Sequence, residues 1–222
     1  MRGKIGRKVL LILLAVTVVS STPGVFAKTG TQDPKKPKVT LHDKAKKAGG
    51  KLVVTYKPNR GTIYPNVEEL AKRSDMIIVG RVVSHKSSLT PDESFIAQDF
   101  LVKVQEVIKG DLARGWSVLV SFPGGTHRFE DGTYAAIMPA GFKQPEDKGI
   151  YVFFLKSKAK GTAFNGQRLV SERQGMFALT KGTVEPAERA PDDPMNVKYR
   201  EMPAASFLRE IHKAVPARKK QN

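Results

Sequence analysis

Residues 74–83 read SDMIIVGRVV, and this run sets the architecture of the chain. Ser74 and Asp75 are polar, and the eight residues after them are apolar except at Gly80 and Arg81. A short apolar run bounded by polar residues is typical of a strand that is covered on both faces. A glycine inside such a run marks a bulge or a sharp bend. The sequence therefore predicts a buried strand over residues 76–83, irregular at Gly80.

The residues before this run predict a strand followed by a short helix. Leu52, Val53, Val54 and Tyr56 form an apolar, β-branched group ahead of Pro58, which is typical of a strand. A helix is predicted over residues 67–73, because Asn66 suits the N-cap position and Glu69 follows it by three residues.

The residues after the run alternate in hydrophobicity, which is typical of strands. Residues 85–94 are rich in Ser, Pro and Asp and predict a turn. Two strands are then predicted, near residues 100–108 and 116–122, joined by a loop over residues 109–115. Their alternating apolar residues are Phe100, Val102 and Val104 in the first strand, and Trp116, Val118, Val120 and Phe122 in the second.

The second half of the chain predicts two more strands and one helix. Residues 126–149 have no clear periodicity and are interpreted as a long connection. Residues 150–155 are wholly apolar and predict a strand, and residues 168–180 predict another with a bulge at Gly175. An irregular connection is predicted after Val184, as far as residue 203. Ser206 is the predicted cap of a last helix, whose apolar face comprises Phe207, Leu208, Ile211 and Val215.

Five main strands, preceded by the helix over residues 67–73 and by the first strand near residues 52–56, predict a mainly β fold. We expect a small antiparallel OB-like barrel, closed or partly open, because closure removes exposed strand edges in a chain without disulfides. The predicted divisions are a signal peptide over residues 1–27, a disordered basic leader over residues 28–50 and a barrel domain over residues 51–190. A connection, an amphipathic helix and a basic tail occupy residues 191–222.

Several of these segments together resemble bacterial secreted proteins of unassigned function whose core is similar to an OB-fold. The resemblance is carried by residues 74–83, 102–104, 107–111, 151–155 and 174–177, together with Gly149. More distantly, the chain is similar to netrin-like domains and tissue inhibitors of metalloproteinases. Those inhibitors chelate a protease metal through an N-terminal cysteine, and this chain has no cysteine. The resemblance therefore implies a fold over about residues 66–184 and no catalytic residues.

Residues 1–27 have the layout of a secretory signal peptide. Four basic residues precede an apolar run over residues 9–19, and small residues precede a predicted cut between Ala27 and Lys28. The apolar run is shorter than the about 20 residues that a membrane span needs. We therefore expect a secreted or periplasmic mature protein that starts at Lys28 and has no transmembrane anchor; a retained anchor is the alternative.

Most of the net charge of +17 lies outside the predicted barrel. Residues 28–60 carry +8 and residues 209–222 carry +4, whereas residues 61–208 carry only +1. A nucleic-acid surface needs basic residues fixed on the folded domain, with aromatic residues among them. Nucleic acid is therefore not expected as a partner. The leader is either a solvated spacer or a weak contact with anionic envelope surfaces.

The sequence has no recognisable catalytic constellation. It lacks the G-x-S-x-G motif and any thiol nucleophile, and its four histidines do not have metal-ligand spacing. The acidic pairs at residues 130–131, 146–147 and 192–193 are interpreted as solvated loop residues. No enzyme activity, cofactor or metal is expected.

The remaining hypotheses are a binding module and, less directly, an enzyme. The first is an exported binding or scaffolding module of the bacterial envelope, whose partner is a protein or an envelope polymer. Its candidate contact residues are Trp116, His127, Arg128, Tyr134 and Phe142. The alternatives are a secreted hydrolase whose site the sequence does not identify, or an inhibitor of secreted proteases.

Overall fold

β-strands dominate the computed structural model, which describes residues 39–57, 61–157 and 164–215. The described strands are β1 (Lys51–Tyr56), β2 (Met76–Leu89), β3 (Ile96–Lys109), β4 (Ser117–Pro123), β5 (Gly125–Arg128), β6 (Tyr134–Pro139), β7 (Ile150–Lys156), β8 (Arg168–Leu169), β9 (Met176–Thr180) and β10 (Thr183–Pro186). The described helices are α1 (Leu41–Lys47), α2 (Val67–Arg73), α3 (Pro194–Tyr199) and α4 (Ala204–Ala214). The predicted signal peptide, its cut between Ala27 and Lys28, and the basic tail after residue 215 lie outside the described residues.

The larger of two sheets has the strand order β10-β9-β7-β2-β3-β4, with β8 beside β7. All of its neighbouring strands are antiparallel. Strand β2 lies inside this sheet and is covered on both faces, as its apolar run predicts: Ile78 belongs to the core on one face and Ile77 to the core on the other. The register between β2 and β3 shifts between Val79 and Gly80, which confirms the predicted irregularity.

The sheet is open, since the described part of β10 at one end does not pair with β4 at the other. The mainly β prediction is confirmed, but the chain has ten described strands in two sheets and does not form a closed barrel. At the two ends of the sheet, β10 contacts helices α3 and α4, and β4 is hydrogen-bonded through Leu119 and Ser121 to Gln167.

The β2–β3 hairpin is longer than predicted. Residues 85–94 were expected to form a loop, yet β2 continues to Leu89 and pairs there with Ile96. The reversal is short because Thr90 closes it: the Thr90 backbone N–H donates to the Phe95 carbonyl, and the Thr90 hydroxyl bonds to Asp92 at 2.8 Å.

Helices α2, α3 and α4 cover one face of the large sheet. Val67, Met195 and Phe207 are buried with Phe177 of β9 in one core. Asn66 caps α2 as predicted, since its side chain accepts a hydrogen bond from the Glu69 N–H at 3.0 Å. The predicted Ser206 cap is wrong: α4 begins at Ala204, with Pro203 in the N-cap position and no side-chain cap.

Three other predicted segments are divided differently in the structure. The connection over residues 126–149 contains most of β5 and all of β6, and the connection after Val184 contains half of β10 and all of α3. The single strand over residues 168–180 is two strands, β8 and β9. A turn separates them, in which the Gly175 N–H donates to the Ser171 carbonyl at 2.9 Å. These strands are two to six residues long, so their local sequence patterns are weak.

The leader prediction is also wrong for its second half. Residues 41–47 form helix α1, whereas residues 28–38 lie outside the described residues. Thr40 and Asp43 form a capping box, in which each side chain accepts a hydrogen bond from the other residue's backbone N–H. Leu41 and Ala45 are buried. Burial of these two residues and the capping box both favour a helix in this lysine-rich segment.

The smaller sheet has the order β1-β6-β5. Strand β1 pairs in parallel with β6, from Lys51 opposite Tyr134 to Tyr56 opposite Pro139, and β5 pairs antiparallel with β6. Among the described residues, none of the helices is long and apolar enough to pass through a lipid bilayer.

Candidate functional site

The smaller sheet has one covered face and one free face. On the covered face, Leu52 and Tyr56 of β1 pack with the core formed by Leu41, Ile96, Ala135 and Ile137. Side chains alternate between faces along a strand, so Lys51, Val53 and Thr55 point to the other side, where all three are exposed. We call this second side the outer face of the smaller sheet.

The registers of the three strands define two rows of side chains on the outer face. Lys51, Tyr134 and Arg128 form the first row, with the tyrosine between the two cations. The second row contains Val53, Ala136 and Thr126, and Met138 lies beyond it on β6. Neighbouring strands are about 4.8 Å apart, so side chains in one row lie side by side.

A shallow groove of about 530 Å³ lies on the outer face. Its lining includes Lys51, Val53, Arg128, Tyr134, Ala136 and Met138, with Gly50 and Gly132 at its margin. Val53 is 56% exposed and Met138 is 50% exposed, which is unusual for two large apolar residues on the same sheet face. The groove thus has an apolar floor that no described residue covers.

The two cations of the groove carry unneutralised charge. Within residues 39–57, 61–157 and 164–215, the side chains of Lys51 and Arg128 form no ion pair and no hydrogen bond. An apolar floor beside free positive charge favours a ligand that has both apolar and acidic groups.

Asp131 fastens helix α1 to the turn between β5 and β6, next to the groove. Its carboxylate accepts hydrogen bonds from the Thr133 hydroxyl at 2.7 Å and pairs with His42 at 2.9 Å and Lys46 at 3.2 Å. The His42 ring stacks on Phe129 with 4.2 Å between centroids. The Thr133 hydrogen bond, more than the nearby cations, holds the pKa of the Asp131 carboxyl well below its usual range.

This lowered pKa predicts a pH-dependent difference for Asp131→Asn. An acid whose folded pKa is depressed stabilises the fold above its unfolded pKa of about 3.9, and that contribution is lost as the pH falls toward the folded value. Thermal melts at pH 7 and pH 3 should therefore show a smaller drop in Tm for Asp131→Asn than for the unmodified protein. Glu130→Gln, at the neighbouring exposed acid, is the control and should behave like the unmodified protein. Equal drops in all three proteins would contradict the prediction.

The structure brings together two of the five predicted contact residues. Arg128 and Tyr134 are cross-strand partners and both line the groove. His127 lies on the opposite face of β5 and packs edge-on against Phe129, with 4.7 Å between ring centroids. Phe142 is buried against Phe122 in the core of the large sheet. Trp116 is 63% exposed, but it precedes β4 in the other sheet.

Sequence reasoning missed Lys51, Val53 and Met138, which complete the groove. Val53 belongs to the predicted first strand. Successive side chains of a strand point to opposite faces, so a buried Leu52 would have implied an outward Val53. Met138 lies in the segment that was interpreted as irregular. The parallel pairing of β1 with β6, which places these residues side by side, joins parts of the chain more than 80 residues apart and leaves no local pattern.

The structure places the remaining polar clusters in structural roles. No group of three or more metal-ligating side chains occurs among the described residues. His85 pairs with Asp147 at 2.9 Å and His212 pairs with Glu106 at 2.8 Å, each joining two distant segments. Ser121 donates a hydrogen bond to Asp99 and accepts one from the Gly166 N–H at 2.8 Å, which holds residues 165–167 against β4.

Comparison with known proteins adds no assignment. No protein-family model matches the chain, and no curated protein matches it. The groove on the smaller sheet is therefore the basis for the functional proposal.

Proposed function

We propose that the chain is an exported, non-catalytic binding module of the bacterial envelope or exterior, and that it holds a protein ligand on the outer face of the smaller sheet. The observation that carries this proposal is the groove, in which exposed Val53 and Met138 lie beside Lys51 and Arg128, two cations without an ion-pair partner among the described residues. Exposed apolar area with a charged rim is the usual composition of a contact surface.

Export and the OB-like relationship belong to the same proposal. The layout of residues 1–27 supports export. Most of the residues that carry the resemblance lie on β2, β3, β7 and β9, four adjacent strands of one sheet. This arrangement supports an opened OB-like core. Fold likeness does not identify a ligand, so the groove carries the functional argument.

A photo-crosslinking experiment tests the binding proposal. The mature protein carries a photoreactive amino acid at Met138 and is mixed with an envelope extract of the source bacterium. A matched protein carries the same group at Leu101, an exposed apolar residue of β3 in the other sheet. We expect a discrete adduct at position 138 only, reduced about tenfold by the double substitution Arg128→Ala/Tyr134→Ala, because interface energy concentrates in a few Arg, Tyr and Trp contacts.

Two outcomes would contradict this proposal. Equal labelling from positions 138 and 101 would show that the outer face is not a preferred contact surface. Robust turnover of peptide, ester or glycan substrates by the same protein, or inhibition of a protease panel, would favour one of the alternative functions.

A further inference from the structure

Strand β1 has an edge that no described strand occupies, and two hydrogen bonds identify the residues that form it. The Tyr134 N–H donates to the Gly50 carbonyl at 2.9 Å, and the Ala140 N–H donates to the Tyr56 carbonyl at 2.7 Å. In a parallel ladder, alternate residues direct both backbone groups to the same neighbour. Even-numbered residues of β1 therefore bond to β6, and Lys51, Val53 and Thr55 direct their N–H and C=O groups to the opposite edge.

These outward backbone groups have no described partner. Strand β1 pairs only with β6, and the backbone groups of Lys51, Val53 and Thr55 take part in no hydrogen bond within the described parts of the chain. Six residues of strand span about 20 Å, which is the length of a five- or six-residue extended peptide. Such an edge is a template for an additional strand.

The positive charge around this edge favours an acidic ligand. Residues 44–57 contain five lysines and no acid. The nearest acidic side chains with described contacts are already engaged: Asp131 pairs with Lys46 and His42, and Glu172 accepts hydrogen bonds from Tyr56 at 2.9 Å and Arg168 at 2.6 Å. A second copy of this chain would bring two sets of five lysines together, so like-charge repulsion disfavours edge-to-edge pairing of two copies.

The side chains on the outer face select the pattern of the peptide. A strand added beside β1 would place alternate residues next to Lys51, Val53 and Thr55, about 4.8 Å away. An acidic residue next to Lys51 would neutralise its charge, and an apolar residue next to Val53 would cover exposed surface that extends to Met138.

We propose that an extended acidic peptide segment, with apolar residues among its acids, adds to the free edge of β1 as a fourth strand of the smaller sheet. This inference rests on the proposed function and specifies its ligand class and binding mode. The main-chain hydrogen bonds supply the binding, and Lys51 and Val53 of β1 select the sequence.

A peptide titration tests the mode of binding. The probe is a fluorescein-labelled heptapeptide of alternating glutamate and valine, measured by fluorescence anisotropy with the full mature protein. One control peptide has alternating lysine and valine, and another is the glutamate peptide N-methylated at alternate residues on the edge that would face β1. We expect saturable binding of the first peptide, and affinities at least about tenfold weaker for both controls, because they reverse the charge or remove backbone donors.

Protein variants and hydrogen exchange locate the site. Val53→Pro removes an outward N–H that has no described partner, so binding should be lost while the circular dichroism spectrum is retained. Lys51→Glu should weaken binding several-fold more than Lys86→Glu, which makes the same charge change at an exposed position of β2. Saturating peptide should slow amide exchange at residues 51, 53 and 55 of the unmodified protein.

Three results would overturn strand addition. The first is absence of binding at peptide concentrations up to millimolar. The second is equal affinity of the N-methylated and the unmodified glutamate peptides for the unmodified protein. The third is a concentration-dependent dimer in sedimentation that already protects residues 51, 53 and 55, which would identify a second copy as the occupant. If the protein is still crosslinked from position 138 but does not bind the peptide, the proposed binding function is retained and only strand addition to β1 is wrong.

Discussion

Replacing Phe177 with alanine is expected to lower the free energy of unfolding by about 3–5 kcal/mol. Phe177 lies on β9 and is fully buried. Its ring centroid is 4.8 Å from that of Phe207, 5.7 Å from Phe154 and 6.1 Å from Tyr199. The residue thus joins two strands of the large sheet to helices α3 and α4. Its truncation removes apolar contacts and leaves a cavity that rigid strands cannot close.

Urea denaturation followed by circular dichroism measures this loss, with Trp116→Ala as the matched control. Trp116 is also a large aromatic residue, but it is 63% exposed, so its truncation should change stability by no more than about 0.5 kcal/mol. Similar losses for the two variants would show that the core under α3 and α4 does not support the sheet. The same control protein also tests whether Trp116 contributes to ligand capture.

The parts of the fold that could be predicted are those with a strong local pattern. Strand β2 is apolar on both faces and needs no knowledge of its partners to be identified. Helix α2 has an Asn66 cap and an apolar side, and both depend on residues within one or two turns. Burial of Phe207 and Ile211 follows in the same way from the spacing of apolar residues on α4. In each case neighbouring residues determine the structure.

The parts that could not be predicted are short or depend on distant pairing. Strand β10 has four residues and pairs with β9 across the two-residue turn at Lys181 and Gly182, so its own sequence carries little signal. Strand β6 has small residues, Ala135 and Ala136, that are compatible with many structures, and becomes a strand between β1 and β5. The barrel prediction failed for a related reason, since no local pattern reports whether the end strands of a sheet meet.

The residues of the candidate site also fall into two groups, those that the sequence could suggest and those that join the site through distant pairing. Arg128 and Tyr134 could be proposed because a charged and an aromatic residue in an exposed connection are visible in the sequence. Phe142 and Trp116 are both large aromatic residues, but Phe142 is buried and Trp116 is exposed. The alternation of apolar residues in the sequence did not distinguish them. Lys51 and Val53 became part of the site only through the parallel β1–β6 pairing, which a sequence read along the chain does not contain.

Glu188 is a buried carboxylate that holds the segment between β10 and α3 in place. Its side chain is 1% exposed and pairs with Arg173, which is 18% exposed. The other carboxylate oxygen accepts hydrogen bonds from the N–H groups of Arg189 at 3.0 Å and Ala190 at 2.8 Å. Asn196 of α3 completes the cluster by donating to the Glu188 carbonyl at 2.7 Å. One carboxylate therefore accepts hydrogen bonds from three donors, and the Arg189 N–H is shared with the Gly141 carbonyl at 2.9 Å.

Glu188→Ala is expected to lower the free energy of unfolding by about 3–5 kcal/mol, because it leaves the Arg173 charge and the Ala190 N–H without their acceptor. Glu185→Ala is the matched control, three residues earlier. Glu185 is half-exposed and pairs with Lys143 at 3.3 Å, and a surface pair of this kind contributes about 0–1 kcal/mol. Urea denaturation of both variants measures the difference.

A double-mutant cycle separates the charge from the hydrogen bonds. Glu188→Gln keeps an oxygen for the two backbone N–H groups but leaves Arg173 unneutralised, and adding Arg173→Met removes that charge. Since removing both members of a buried pair costs less than removing one, the double variant should be more stable than the sum of the two single effects predicts. Additive losses would mean that Arg173 and Glu188 are not energetically coupled. A loss below about 1 kcal/mol for Glu188→Ala would mean that water or a rearranged backbone replaces the carboxylate.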